Sequence, residues 1–176
     1  MPKANTARRE KTKSLGSQRV DKGKALERLM AYLFLSAGGF QVKTNVITFD
    51  GELDLVVRNL ATANPMLREF GRYMLVECKN IFAAVDAKTI RDFASKIVTH
   101  SCRTGILISR RGYSGQRESS AARDARLAMI KAHQRHQVII IPINFSQLTD
   151  VVQRRMTLSD MLLRQYEKIR FDMKDF

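Results

Sequence analysis

Three charged residues sit where a strand's apolar neighbours surround them: Asp54 in GELDLVVRN, and Glu77 with Lys79 in MLVECKN. Side chains alternate across a strand, so residues 73, 75, 77 and 79 of YMLVECK share one face, with Met74, Val76 and Cys78 on the other. Glu77 and Lys79 then project as a unit. In GELDLVVR the same alternation groups Asp54 with Glu52 and Val56, against Leu53, Leu55 and Val57. If the two strands pair, Asp54 lies beside Glu77. Two carboxylates side by side in a half-buried sheet repel each other unless a cation lies between them. The hard, oxygen-seeking candidate is magnesium, with manganese as its substitute, held by a couple of carboxylates with water and phosphate filling the other positions. A metal, an adjacent lysine and a basic surface suit phosphodiester hydrolysis: the metal activates water and polarises a phosphoryl oxygen, and the lysine orients that water or steadies the developing charge. The plainer alternative is a cross-strand ion pair on a solvated face.

The charge balance favours a polyanionic partner. Over 176 residues, 31 Lys and Arg stand against 17 acids, a formal net charge of +14. Nucleic acid, and DNA in particular, is the partner such a surface attracts. A membrane is not indicated, because no apolar run approaches a spanning length and no basic helix carries Trp or Phe anchors. Cys78 and Cys102 are too few and too separated for a disulfide scaffold, which implies an intracellular, cytoplasmic protein with free thiols. Residues 1–22 hold seven Lys or Arg against two acids and few large apolar side chains, and are expected to form a disordered basic arm. No apolar stretch follows those charges, so the arm is not a secretory signal.

The elements that must position the charged residues follow from periodicity. Leu26, Leu29, Met30, Leu33 and Ala37 predict a helix over residues 23–37, stopped by the glycines of SAGGF. FQVKTNVITF, the turn signal Asp50-Gly51 and ELDLVVR predict a hairpin, and YMLVECK a third strand after the loose connection NLATANPMLREFG. Asp86 is the expected N-cap of a helix with the stripe Ile90, Phe93, Ala94, Ile97 and Val98. RTGILIS is a fourth strand, and a third helix after Ser114 turns Ala121, Ala125, Ala128, Met129 and Ala132 inward. QVIIIPI, apolar on both faces, reads as a buried parallel strand, followed by two short amphipathic helices. The order is that of an α/β domain with a mixed sheet flanked by helices. Residues 23–152 are expected to form the domain and 153–176 its helical extension.

At these residues the chain resembles the PD-(D/E)xK restriction-endonuclease-like superfamily, whose signature is matched by Asp54 and Glu77-Cys78-Lys79 and whose core is an α-β-β-β-α-β unit. Its Mrr-like catalytic domain is the nearest likeness, through GFQV at the first strand, IRDFAS in the helix after the ExK strand, and GILIS with YSGQRESSAARDA beyond it. DGELD departs from the D-x-G-(I/V)-D of many Mrr-like sequences, with Glu52 at the glycine position. The resemblance implies a Mg²⁺-dependent DNA endonuclease in which Asp54 and Glu77 bind the metal and the Cys78 carbonyl joins them. Lys79 is then the catalytic lysine, and Glu27 the helix-one acid that completes the catalytic set. Arg123, Arg126 and Lys131 are candidate phosphate contacts, although charge on a helix's outer face is also ordinary. His133 and His136 alone are weak evidence for zinc. Two other classes remain open: a junction-resolving nuclease acting as a homodimer, and a noncatalytic nucleic-acid-binding module. No DNA-reading motif is visible, which leaves room for a specificity or recruiting partner.

Overall fold

The computed structural model describes residues 23–61, 64–81, 83–113 and 120–173, excepting the side chains of 120–123. The basic arm expected over 1–22, the start of the helix after Ser114 and the Ala121 side chain lie outside the described residues.

Helix α1 spans residues 23–37, and it buries Leu26, Met30 and Phe34. The buried stripe therefore runs through Phe34, whereas Leu29 and Leu33 are half-buried and Ala37 is exposed. Phe34 takes that place because the chain turns back sharply after the helix, and its ring meets that of Phe40 edge-on, centroids 5.3 Å apart. The reversal uses Gly38 and Gly39, both at φ +72°. A Cβ on Gly39 would come 2.9 Å from the Ala61 Cβ, so a side chain is excluded there twice over.

Strand β1 (Phe40–Thr48) pairs antiparallel with β2 (Gly51–Asn59), through the expected Asp50-Gly51 turn. The connection that follows is not wholly loose. Asn64 caps a four-residue helix α2 (Pro65–Arg68), accepting from the Met66 N–H, with Pro65 at the first helical position where its missing donor costs nothing. Buried Asn59 fastens this corner, donating to the Leu67 carbonyl at 2.6 Å and accepting from the Ala61 N–H at 3.1 Å.

Strand β3 (Tyr73–Lys79) is antiparallel to β2 and parallel to β4 (Thr104–Ser109), which is parallel to β5 (Ile139–Asn144). The five strands form one mixed sheet in sequential order. Between β3 and β4 runs α3 (Ala87–Thr99), capped by Asp86, whose side chain accepts from the Thr89 N–H at 2.8 Å. Ile90, Phe93, Ala94 and Ile97 are buried, but Val98, expected on the same stripe, is 41% exposed because it faces a groove beside the next helix. That helix, α4 (Ser120–His136), buries Ala125, Ala128, Met129 and Ala132. Helices α5 (Phe145–Val152) and α6 (Leu158–Arg170) close the chain, and both pack against β5. Every residue of β4 is buried, as a parallel strand covered on both faces requires.

Register decides which side chains meet. Gly105 pairs with Leu75 and Leu107 with Glu77, so these four share a face. A Cβ on Gly105 would overlap the Ile97 Cδ1, so that face lies under α3.

Candidate active site

The ladder between β2 and β3 runs from Arg58 opposite Tyr73 to Leu55 opposite Val76. One more step in the same register sets Asp54 opposite Glu77. There the backbone pairing gives way to a side-chain contact: the Cys78 N–H donates to Asp54 Oδ2 at 2.7 Å. The two carboxylates are thus brought to one face at the point where β2 leaves β3.

Glu77 is 6% exposed, and its charge is met from two directions. Lys79, two residues along the strand, places Nζ 2.6 Å from Oε1, and Lys96 of α3 places Nζ 3.2 Å from Oε2. Lys96 also donates to the Glu52 carbonyl at 3.5 Å, so it bridges α3 to both strands. Nothing in the sequence marked Lys96. The available signal was its position three residues after buried Phe93, which turns it toward the sheet beside the apolar stripe.

Electrostatics show how closely the acids crowd. Burial pushes the Asp54 carboxyl above the usual range, the Cys78 N–H bond opposes that, and the Glu77 charge adds to the rise. Glu27 of α1 is also raised, by burial first and then by the charges of Asp54 and Glu52, with Glu77 contributing. The helix-one acid therefore shares the field of the strand carboxylates. For Lys79 burial works against the ammonium, yet the hydrogen bond and charge of Glu77, aided by Asp54, outweigh it and raise the pKa. The Cys78 thiol is held neutral, because burial and the charges of Asp54, Glu27 and Glu77 push its pKa far up. Only the backbone of Cys78 can offer this site a polar atom.

Among the described residues, no cluster of three or more His, Cys, Asp or Glu could hold a metal ion by itself. The donor set fits magnesium all the same, since that ion is ordinarily bound through one or two carboxylates with water and substrate phosphate completing its shell. Asp54, Glu77, Cys78 and Lys79 are brought together, and Glu27 lies within reach of the charges of Asp54 and Glu77. Arg126 and Lys131 of α4 are not among them. Arg126 is turned to the end of the chain, donating through Nε to Asp172 Oδ1 and through Nη2 to the Asp172 carbonyl, both at 2.8 Å. Lys131 lines a groove of about 590 Å³ between α3 and α4, together with Arg91, Arg135 and His136. The Arg123 side chain lies outside the described residues.

The family model for the Mrr catalytic domain, described as a restriction endonuclease, matches residues 19–139. The chain belongs to that family. The match runs from just before α1 to the first residue of β5, and so takes in every residue of the carboxylate cluster. No curated protein and no solved structure matches the chain. The mixed five-stranded sheet flanked by helices is consistent with a restriction-endonuclease-like fold, and the family implies a nuclease with DNA as substrate, generally divalent-metal dependent. None of its described helices is long and apolar enough to cross a membrane.

Proposed function

We propose that the protein is a Mg²⁺-dependent DNA endonuclease, also served by Mn²⁺, with Asp54, Glu77 and the Cys78 carbonyl as metal ligands and Glu27 and Lys79 completing the catalytic set. The observation that carries this reading is the opposition of Asp54 and Glu77 where β2 leaves β3, with the Asp54 side chain on the Cys78 N–H. A structural ion pair would need one acid and one base, but this corner gathers Glu27, Glu52, Asp54 and Glu77 within one another's fields. Such crowding of acids calls for positive charge from outside the chain as well as from Lys79 and Lys96.

When bound, the metal would supply a more acidic water and a polarised phosphoryl oxygen. The protein's own residues do the rest. Asp54 is held in place by the Cys78 N–H, so its second carboxylate oxygen stays directed at the site without rearrangement. Lys79 has a raised pKa and is an ammonium at neutral pH, suited to donating hydrogen bonds to the attacking water or a phosphate oxygen rather than removing a proton. Lys96, held on α3 against Glu77, adds a second positive charge on the same side. The groove bearing Arg91, Lys131 and Arg135 offers a track for DNA phosphates. Residues 23–152 form the nuclease domain in this reading, with 153–176 as its extension, tied back through Arg126 and Asp172. A homodimer or a recruiting partner would supply paired-strand cutting or specificity.

Incubating the purified protein with supercoiled, linear, branched and single-stranded DNA tests the proposal. Cleavage is expected with Mg²⁺ or Mn²⁺ and none with EDTA. Metal-independent cleavage, or binding without any cleavage, would contradict it.

A further inference from the structure

The tip of the β1–β2 hairpin carries the most exposed large apolar side chain of the described residues, Phe49, which is 87% exposed, and two residues before it stands Ile47, 76% exposed. Ile47 is opposite Glu52 in the antiparallel register, so it shares the sheet face of Glu52 and Asp54. Both apolar side chains thus border the carboxylate corner instead of the outer surface of the domain.

The tip is also fixed. The Thr48 hydroxyl donates within the turn, with Asp50 Oδ1 and the Gly51 carbonyl each 2.7 Å away. Asp50 Oδ1 lies 3.2 Å from Nε2 of His100, the C-cap of α3. Phe49 rests beside the same imidazole, ring centroids 6.0 Å apart at 51°, leaving most of its surface open. His100 follows Lys96 by one helical turn and donates its backbone N–H to the Lys96 carbonyl at 3.1 Å. His100, against which the aromatic tip rests, therefore follows the lysine that touches Glu77 by about 6 Å along the axis of α3, against about 3.4 Å between stacked nucleotides. A strand whose phosphate lay at Glu77 and Lys96 would pass the tip within a few nucleotides.

We propose that Phe49, backed by His100 and flanked by Ile47, is a stacking platform for an unpaired base of the DNA substrate, and that it gives the enzyme a preference for DNA with an unpaired nucleotide near the cut. The inference rests on the nuclease reading and deepens it. Aromatic side chains recognise bases through their faces, which a continuous duplex keeps covered by neighbouring base pairs. A Phe on a braced hairpin tip gains contact area only where a base is splayed out, as at a branch, a mismatch or a single-stranded end. The protein's net charge of +14 supports DNA as the occupant over an apolar protein partner, since it attracts a phosphate backbone alongside the tip.

The test uses the full chain in Ca²⁺, with DNA carrying 2-aminopurine at an unpaired position and a fully paired control of equal length. Expected are tighter binding and fluorescence quenching for the unpaired probe, by roughly five- to a hundredfold in affinity from one stacked base. Phe49→Ala should bring the two affinities together and abolish the quenching while leaving the paired-duplex affinity within about twofold, and Phe49→Trp should retain the preference. Equal affinity of the unaltered protein for both probes overturns the proposal, as does an unchanged preference in Phe49→Ala. A Phe49→Ala protein that loses affinity for both probes together, and sediments as a smaller species, would make the tip a contact between copies of the chain. Failure of the unaltered protein to bind any DNA would overturn the nuclease reading and this inference with it.

Discussion

Asp54 receives the backbone N–H of Cys78 at 2.7 Å, where a continuing β ladder would have supplied a carbonyl. One side chain thus ends the pairing of β2 with β3 and stands opposite Glu77. Two substitutions separate these roles. Asp54→Ala strips the acceptor from a part-buried N–H and is expected to cost about 1 kcal/mol or more. Asp54→Asn keeps an acceptor oxygen but removes a charge that burial and Glu77 both disfavour, so metal-free stability at neutral pH should match or exceed that of the unaltered protein. Both variants should lose Mg²⁺-dependent cleavage. Urea melts in EDTA beside plasmid cleavage check this, and full activity of either variant would sink the ligand assignment.

Glu77 is shared by two lysines that a bound cation would oppose, and they should separate on substitution. Lys79→Met is expected to remove most turnover while DNA affinity in Ca²⁺ stays within a few-fold, because an interaction made only in the transition state affects rate and not ground-state binding. Lys96→Met removes a positive charge 3.2 Å from Glu77, so divalent cations should bind more tightly, by several-fold, with a larger rise in melting temperature on adding Mg²⁺. A smaller Mg²⁺-induced rise in Lys96→Met would mean that Lys96 organises the site instead of competing for it.

Strand alternation alone grouped Asp54 with Glu52 and Glu77 with Lys79, because a period of two is read directly from the residue types. The register that sets Asp54 opposite Glu77 lies between β2 and β3, which are joined by the long connection 60–72, whereas the Asp50-Gly51 turn fixes only β1 against β2. Lys96 was hidden for a different reason. A lysine at the border of an apolar helical stripe looks the same whether it extends into water or lies along the sheet, and only packing against β3 decides. Arg126, read as a candidate phosphate contact in a basic helix, also has a partner that the sequence does not reveal: its guanidinium is engaged by Asp172, a residue 46 positions away that no periodicity connects to it. Val98 fitted the stripe of α3 by spacing, yet the neighbouring α4 leaves it beside an open groove.

Salt should weaken DNA binding steeply, since Lys and Arg contacts to phosphates release counterions and read no bases. Removing residues 1–21 takes away six Lys or Arg and two acids and should both lower affinity and flatten the plot of log affinity against log salt. Filter binding or anisotropy between low and physiological salt measures the slope. A slope unaffected by the deletion would place the DNA contacts wholly on the folded domain.

The Asp86 cap predicts a pH dependence away from the active site. Its carboxyl is held below the usual range by the backbone and hydroxyl hydrogen bonds of Thr89. A lowered folded-state pKa contributes stability above the unfolded-state value and loses it as pH falls through the folded one. Asp86→Ala should therefore cost about 1 kcal/mol at neutral pH, the ordinary worth of an N-cap. That cost should shrink as pH falls below the normal aspartate range, while Asp86→Asn should cost little at any pH. An Asp86→Ala penalty that stays constant from pH 7 to pH 3 would show that the carboxylate charge contributes nothing.

The packing of α3 on β4 links the core to the site through one glycine. A Cβ on Gly105 would overlap Ile97 Cδ1 and come within 2.7 Å of the Phe93 ring, and both residues are too deeply buried to swing into solvent. Overfilling of this kind costs about 1–3 kcal/mol and is relieved by moving the helix. Lys96 lies between Phe93 and Ile97 in sequence, so displacing α3 draws its Nζ away from Glu77. Gly105→Ala should consequently lower both stability and cleavage rate, with DNA affinity in Ca²⁺ little changed. The adjacent Thr104→Val is the control. Thr104 is buried, its hydroxyl has no hydrogen-bond partner among the described residues, and its side chain points to the opposite face, so replacing the hydroxyl with a methyl of similar size should leave stability equal or raised and cleavage untouched. Denaturant melts and single-turnover rates of the two variants give the comparison. A Gly105→Ala protein as stable as the original but slower, or destabilised with its rate intact, would uncouple the position of α3 from catalysis and remove Lys96 from the mechanism.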